Sequence, residues 1–134
     1  MTYEEKISWL SRYREAEKLY QRLSYRLAEA REATRHITQN LSAAPGGSKD
    51  GQSLARAVER EEEAERRAYA QLAVLDALFA EIDAVLVQLD SAEYCALRKY
   101  YLDYLKWEQV AADMNFTSRG IFALRRRAIE HLKL

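Results

Sequence analysis

The chain has 134 residues, 49% of them hydrophobic, and it balances 21 Lys and Arg against 21 Asp and Glu. This length fits one domain or a small domain with an appendage. Only four Gly and one Pro interrupt the sequence, so we predict an all-α protein with long helices. The zero net charge excludes a strongly basic or strongly acidic protein as a whole.

The cellular compartment is indicated by what the sequence lacks. Cys95 is the single cysteine, so an intramolecular disulfide is excluded and nothing suggests an oxidising compartment. The first residues, MTYEEKISWL, are charged and lack the apolar core of a signal peptide. No segment approaches the roughly 18 apolar residues of a membrane helix, so we expect a cytoplasmic protein of a bacterial host and no membrane partner.

The first long element is predicted from Thr2 to Ile37. This range contains no helix breaker, and its apolar residues recur at spacings of three and four with one gap at Glu17. Such spacing is typical of an amphipathic helix. The predicted apolar stripe comprises Ile7, Leu10, Tyr13, Tyr20, Leu23, Leu27, Ala30, Thr34 and Ile37.

A loop near residues 39–53 is predicted next. Every strong turn signal of the chain falls here, namely Pro45, Gly46, Gly47, Ser48, Asp50 and Gly51. These residues favour an exposed connection that reverses the chain. The Gly-Gly-Ser-Lys sequence lacks the spacing of a phosphate-binding loop, and no strand precedes it.

The segment after this loop has the most regular pattern in the chain. Its seam residues alternate steps of four and three, which predicts a coiled-coil helix. They are Leu54, Val58, Glu61, Glu65, Ala68, Leu72, Leu75, Phe79, Ile82, Leu86 and Leu89. The simplest partner is the first helix folded back antiparallel, which brings Glu61 and Glu65 toward Arg31 and Arg26. The alternative is that the seam joins two chains as a homo-oligomer.

A new helix is predicted to begin at Ser91. Asp90 with Glu93 three residues later forms a capping box, and the helix should run to about Tyr104. We therefore divide the chain into a helical hairpin over residues 1–89 and a second domain over 90–134. The first 90 residues carry 13 basic and 16 acidic side chains, net −3, whereas residues 91–134 carry 8 and 5, net +3.

The second domain contains a sharp corner between two short helices. Trp107, Val110, Ala111 and Met114 share one face of a helix that begins near Lys106. Asn115 tolerates the left-handed conformation that ends a helix, and Thr117 can cap the next one. This outline is that of a helix-turn-helix.

The final helix has an apolar side and a basic side. Ile121, Leu124, Ala128 and Leu132 form a stripe that should face inward. The opposite side carries Ser118, Arg119, Phe122, Ala123 and Arg126, with Arg125 and Arg127 flanking it. A helix that is basic from its first turn suits a negatively charged partner, and DNA is the leading candidate.

The segment LRKYYLDYLKWEQVAADMNFTSRGIFALRRRAIEHL resembles region 4 of the primary-type sigma factors. The whole chain, including ITQNLSAAPGGSKDGQSLARAVE, resembles the phage-encoded ArpU-like and RinA-like late-transcription activator group. Gly120 and Ala123 depart from that group, whose members usually carry polar or basic side chains there. The resemblance implies a phage or prophage DNA-binding regulator with a three-helix, sigma-region-4-like helix-turn-helix.

Roles on the final helices follow from helical position. Candidate base-reading residues are Ser118, Arg119, Phe122 and Arg126, and candidate phosphate contacts are Lys106, Thr117, Arg125 and Arg127. Two alternatives stay open, namely a small-terminase-like DNA-packaging protein and a module that binds RNA polymerase without reading DNA.

No constellation of catalytic or metal-ligating residues is found. His36 and His131 are the only histidines, and no Cys, His or Asp pattern has metal-ligand spacing. The acidic run at Glu61–Glu65 suits a solvated or arginine-paired helix face better than a catalytic pair. We therefore expect neither an enzyme nor a cofactor.

Overall fold

The computed structural model describes residues 1–43 and 48–134. Within these ranges the chain is helical and contains no strand, so the all-α prediction is confirmed. The helices are α1 (Tyr3–Leu10), α2 (Arg12–Ala43), α3 (Ser48–Leu86), α4 (Ser91–Tyr101), α5 (Trp107–Met114) and α6 (Ser118–His131).

The first predicted helix is divided in two at Ser11. The Ser11 hydroxyl donates to the Ile7 carbonyl at 2.7 Å, and Arg12 Nε donates to the Trp9 carbonyl at 3.1 Å. Side-chain bonds of this kind compete with the helical backbone and bend helices. The prediction of one uninterrupted helix from Thr2 was therefore wrong at this position.

The helices extend into the predicted loop from both sides. α2 continues to Ala43 and α3 begins at Ser48, so much of the range 39–53 is helical. Turn-forming residues permit a turn without requiring one, and Gly51 costs a helix only about 1 kcal/mol relative to alanine. The turn predicted at Pro45, Gly46 and Gly47 lies outside the described residues.

The chain forms two compact units that differ from the predicted division at residue 89. We call Met1–Glu17 with Leu75–Leu134 the terminal unit, and Lys18–Val74 the helix-pair unit. In the terminal unit, Lys6 Nζ donates to the Ile129 and Glu130 carbonyls at 3.2 and 3.3 Å. The N-terminal helix thus joins the core of the C-terminal helices, a long-range contact that local patterns do not reveal.

Two clusters of buried side chains form the core of the terminal unit. The first comprises Leu10, Ile82, Leu86, Leu97, Tyr101, Leu102, Ala128, Ile129 and Leu132. The second comprises Ala96, Val110, Ala111, Ile121 and Leu124. Because α6 contributes to both clusters, it is fixed along its whole length by apolar packing.

Helix α4 begins as predicted and ends earlier than predicted. Asp90 Oδ1 accepts from the backbone N–H of Glu93 at 2.8 Å, so the helix begins at Ser91. It ends at Tyr101, because Tyr104 has a φ of 62° and the N–H of Leu105 donates back to the Lys99 carbonyl at 3.1 Å.

The predicted seam of α3 is present except at two positions. Its residues Ala68, Leu75, Ile82 and Leu86 are buried, whereas Val58 and Leu72 are 36% and 38% exposed. Ala57 is buried in place of Val58. Alanine at position 57 offers a flat surface for close helix contact, and the sequence pattern did not distinguish it from its neighbour Val58.

One of the two predicted ion pairs between α2 and α3 is present. Arg31 Nε lies 3.8 Å from Glu61 Oε1, whereas Arg26 forms no ion pair with Glu65. Arg26 instead lines a groove together with arginines of α3.

Candidate nucleic-acid interface

The corner between α5 and α6 has the predicted local geometry. Lys106 precedes α5, and its backbone N–H donates to Gln109 Oε1 at 2.9 Å. Asn115 ends the helix in the left-handed conformation, with φ 59° and ψ 40°. The N–H of Phe116 then donates to the Ala111 carbonyl at 2.8 Å, which satisfies a carbonyl at the helix end. The predicted role of Asn115 is confirmed.

Thr117 caps α6 as predicted, and Gly120 explains why the cap is tight. Thr117 Oγ1 accepts from the Gly120 N–H at 3.0 Å. A Cβ atom at Gly120 would lie 3.1 Å from that oxygen and 3.3 Å from Phe116 Cδ1. The small residue at position 120 therefore belongs to the cap.

The underside of α6 is buried along its length. Ile121, Leu124, Ala128 and Leu132 are each at most 4% exposed, which confirms the predicted stripe. Ile129 is also fully buried, against α1 and α4, although the sequence reasoning missed it. Position 129 is interior because α1, α3 and α4 all contribute side chains to the cluster at this end of α6.

The outward side of α6 carries the predicted base-reading residues. Ser118, Arg119, Phe122 and Arg126 are all exposed. Phe122 is 48% exposed and Phe116 beside it is 39% exposed, so two aromatic rings face solvent next to cationic groups. The guanidinium of Arg126 is 6.0 Å from the Tyr3 ring and 3.8 Å from Glu130 Oε1.

Arg125 differs from the other predicted phosphate contacts because it turns inward. Its guanidinium lies 5.2 Å from the centre of the Trp107 ring, and its Nη2 donates to the Tyr101 hydroxyl at 3.3 Å. Trp107 in turn stacks on Tyr100 with ring centres 4.3 Å apart. The structure thus places Arg125 in the aromatic support of α6, which its neighbours in sequence did not indicate.

Lys106 and Thr117 are exposed at the starts of α5 and α6. A cavity of about 230 Å³ lies between these two helices and is lined by Lys106, Trp107, Glu108, Ser118, Ile121 and Phe122. It joins a cation, a carboxylate, a hydroxyl and aromatic rings in one concave surface.

Glu93 is a buried carboxylate that links α4 to α6. It is 2% exposed, and its Oε2 lies 2.7 Å from His131 Nδ1 and 3.7 Å from Arg127 Nε. The sequence suggested Glu93 only as part of a capping box, and its side chain is directed to α6 instead. The backbone hydrogen bond from Glu93 lowers the pKa of Asp90, and Arg127 and His131 add to this effect. This cluster orients the last turns of α6.

Positive charge is concentrated on and after the last helix. From Ser118 to Leu134 the chain carries five Lys or Arg and one Glu.

In the described ranges, no three His, Cys, Asp or Glu residues are grouped so that they could hold a metal ion. No described helix combines the length and the apolar character needed to cross a membrane.

Comparison of the chain with protein-family models, with curated proteins and with solved structures found no match in any of the three.

Proposed function

We propose that this protein is a phage-type transcriptional regulator that binds double-stranded DNA through a sigma-region-4-like helix-turn-helix formed by α5 and α6. The observation that carries the proposal is the contrast between the two sides of α6. Its apolar side is buried in two clusters, and its opposite side exposes Arg119, Phe122 and Arg126. A rigidly supported helix with an exposed basic side can enter a major groove.

Base reading is assigned to four residues on the exposed side. Arg119 and Arg126 can each donate two hydrogen bonds to a guanine, and Ser118 can bond to several bases. Phe122 offers an apolar ring for the methyl group of thymine. The steps from 119 to 122 and from 122 to 126 keep these three side chains on one face of the helix.

Phosphate contacts are assigned to Lys106, Thr117 and Arg127. Lys106 and Thr117 stand at helix N-termini, where backbone N–H groups favour anions. Arg127 is half-exposed beside Glu93, so it can reach a phosphate while His131 keeps the buried carboxylate partnered. Arg125, held against Trp107, supports the helix in this scheme.

The test is selection of bound fragments from random duplex DNA, followed by affinity measurements on the selected sequence and on a scrambled duplex. Replacing Arg119 or Arg126 by alanine should cost about 1–3 kcal/mol on the selected sequence and relax its specificity. Arg66→Ala serves as the matched control, since Arg66 is exposed on α3 in the other unit.

Two results would contradict the proposal. One is that no duplex is bound even at low salt, and the other is that Arg119→Ala and Arg66→Ala behave alike. Absence of duplex binding together with co-purification of RNA polymerase would favour the interaction-module alternative.

A further inference from the structure

The helix-pair unit has a thin interior. Its buried apolar side chains among the described residues are Leu27, Ala57 and Ala68. Two helices of this length gain most of their stability from packing of an apolar face, and three buried side chains, two of them alanines, provide little of it. Several large apolar side chains of the unit are exposed instead, so the unit presents surface that a partner can cover.

One flank of the helix-pair unit is an open basic groove of about 390 Å³. Arg26 of α2 and Arg56, Arg60 and Arg67 of α3 line it, with Leu23 and Ala64 between them. Arg26, Arg56 and Arg60 have no carboxylate partner in the described part of the chain. The groove also contains Glu59 and Glu63.

Glu63 contributes little negative charge that an incoming ligand would meet. It accepts hydrogen bonds from Arg66 and from Arg67, the latter at 3.0 Å. These bonds hold the pKa of the Glu63 carboxyl below its usual value, so it stays ionised and paired. Three guanidinium groups without a carboxylate partner among the described residues, those of Arg26, Arg56 and Arg60, thus outnumber the remaining carboxylate of the lining, Glu59. We refer to Arg26, Arg56, Arg60 and Arg67 as the basic groove.

The opposite flank of α3 is acidic and apolar. Residues two positions apart point about 200° from each other around a helix. Val58 is two positions from both Arg56 and Arg60, so it faces away from the basic groove. The same face carries, at steps of four and three, the residues Val58, Glu62, Glu65, Tyr69 and Leu72, which we call the acidic stripe.

The acidic stripe has solvent-exposed apolar side chains and carboxylates without cationic partners in the part of the chain that the structure describes. Val58, Tyr69 and Leu72 are 36%, 59% and 38% exposed. Neither Glu62 nor Glu65 forms an ion pair within the described residues. The stripe thus offers two unpaired carboxylates beside three apolar side chains, and the groove offers three unpaired guanidiniums beside two apolar side chains.

We infer that the acidic stripe of one copy of this chain docks in the basic groove of a second copy. Opposite charge on the two surfaces favours this contact and disfavours stripe against stripe or groove against groove. Because the two surfaces lie on different flanks, each added copy leaves one groove and one stripe free. A contact of this heterologous kind continues until it closes as a ring or grows as a filament.

The experiment measures the mass of the full-length chain in solution by light scattering and sedimentation over a dilution series at low and high salt. The groove variant is Arg56→Glu with Arg60→Glu, and the stripe variant is Glu62→Arg with Tyr69→Arg. We expect the wild type to form particles larger than a dimer at low salt, and each variant alone to have the mass of a monomer.

A mixture of the two variants tests directly whether the stripe docks in the groove. The groove variant keeps an intact stripe and the stripe variant keeps an intact groove, so the mixture should form a dimer and nothing larger. Arg35→Glu and Glu32→Arg are matched controls, because these two residues pair with each other on α2 outside both surfaces. Both controls should assemble as the wild type does.

Three results would overturn the proposal. These are a monomeric wild type throughout the series, variants that still assemble, and folded variants whose mixture stays monomeric. Circular dichroism of each variant establishes that it is folded, and the single substitutions Arg60→Glu and Glu62→Arg replace any double variant that is not. DNA binding is assigned to residues of the terminal unit, so the assembly experiment does not test the DNA-binding proposal. A closed ring would favour the packaging role over regulation.

Discussion

The salt dependence of DNA binding tests the assignment of the cations on α5 and α6. Two exposed cationic side chains there are assigned to phosphates, namely Lys106 and Arg127. Each phosphate neutralised adds about −0.9 to the slope of log affinity against log salt, so two contacts predict a slope of about −1.8. Affinity should then fall about 12-fold between roughly 50 and 200 mM salt.

Arg125 and Arg127 are close in sequence, but only Arg127 is assigned to a phosphate. Arg127→Ala should reduce the slope to about −0.9, because one of the two phosphate contacts is lost. Arg125→Ala should leave the slope near that of the wild type, because its guanidinium lies over Trp107 and bonds to Tyr101. The Arg125 variant should instead lower the thermal unfolding midpoint.

Fluorescence anisotropy of a labelled duplex, titrated at several salt concentrations, gives the slope for each variant. Arg66→Ala, on the helix-pair unit, should match the wild type. A flatter slope for Arg125→Ala together with an unchanged slope for Arg127→Ala would contradict these assignments, since the two arginines would then have exchanged roles.

Three further predictions concern the stability of the terminal unit. Ile121→Ala, at a site only 1% exposed, should lower the free energy of unfolding by about 2–5 kcal/mol in a denaturant titration; a loss well under 1 kcal/mol would mean that the site is not packed. Gly120→Ala should gain less than the roughly 1 kcal/mol that alanine offers in a helix, because its Cβ crowds the Thr117 cap, and a full gain would contradict the tight contact. Burial raises the pKa of Tyr101, so its contribution to stability is complete below about pH 10 and is lost as the pH rises through its higher folded-state pKa. Tyr101→Phe should therefore weaken the loss of stability in alkali, measured as the unfolding midpoint against pH, and an unchanged profile would exclude this residue as a cause.

The features that the sequence predicted well are those that depend on a few adjacent residues. Asn115 and Thr117 define the corner because left-handed backbone and capping are local properties of Asn and Thr. The start of α4 at Ser91 follows for the same reason from Asp90. The buried stripe of α6 was also found, because its spacing leaves one apolar face only.

The features that the sequence did not reveal depend on contacts between distant segments. Nothing near Arg125 in sequence indicates that Trp107 and Tyr101 lie beneath it. The seam was assigned to Val58 and not to Ala57, because both positions border the same face and alanine carries little signal. The predicted loop was too long, because Gly and Ser permit a helix as well as a turn.

The hydrogen bonds from Lys6 to the last turn of α6 bear on how the protein is made on the ribosome. A core that needs both α1 and α6 cannot form until α6 has been synthesised. Until then Leu10 and Ile7 lack the side chains against which they pack. Contacts so distant in sequence slow folding and prolong the time for which apolar side chains meet other molecules. The proposed DNA-reading helix and α1 therefore support each other only after both have been synthesised.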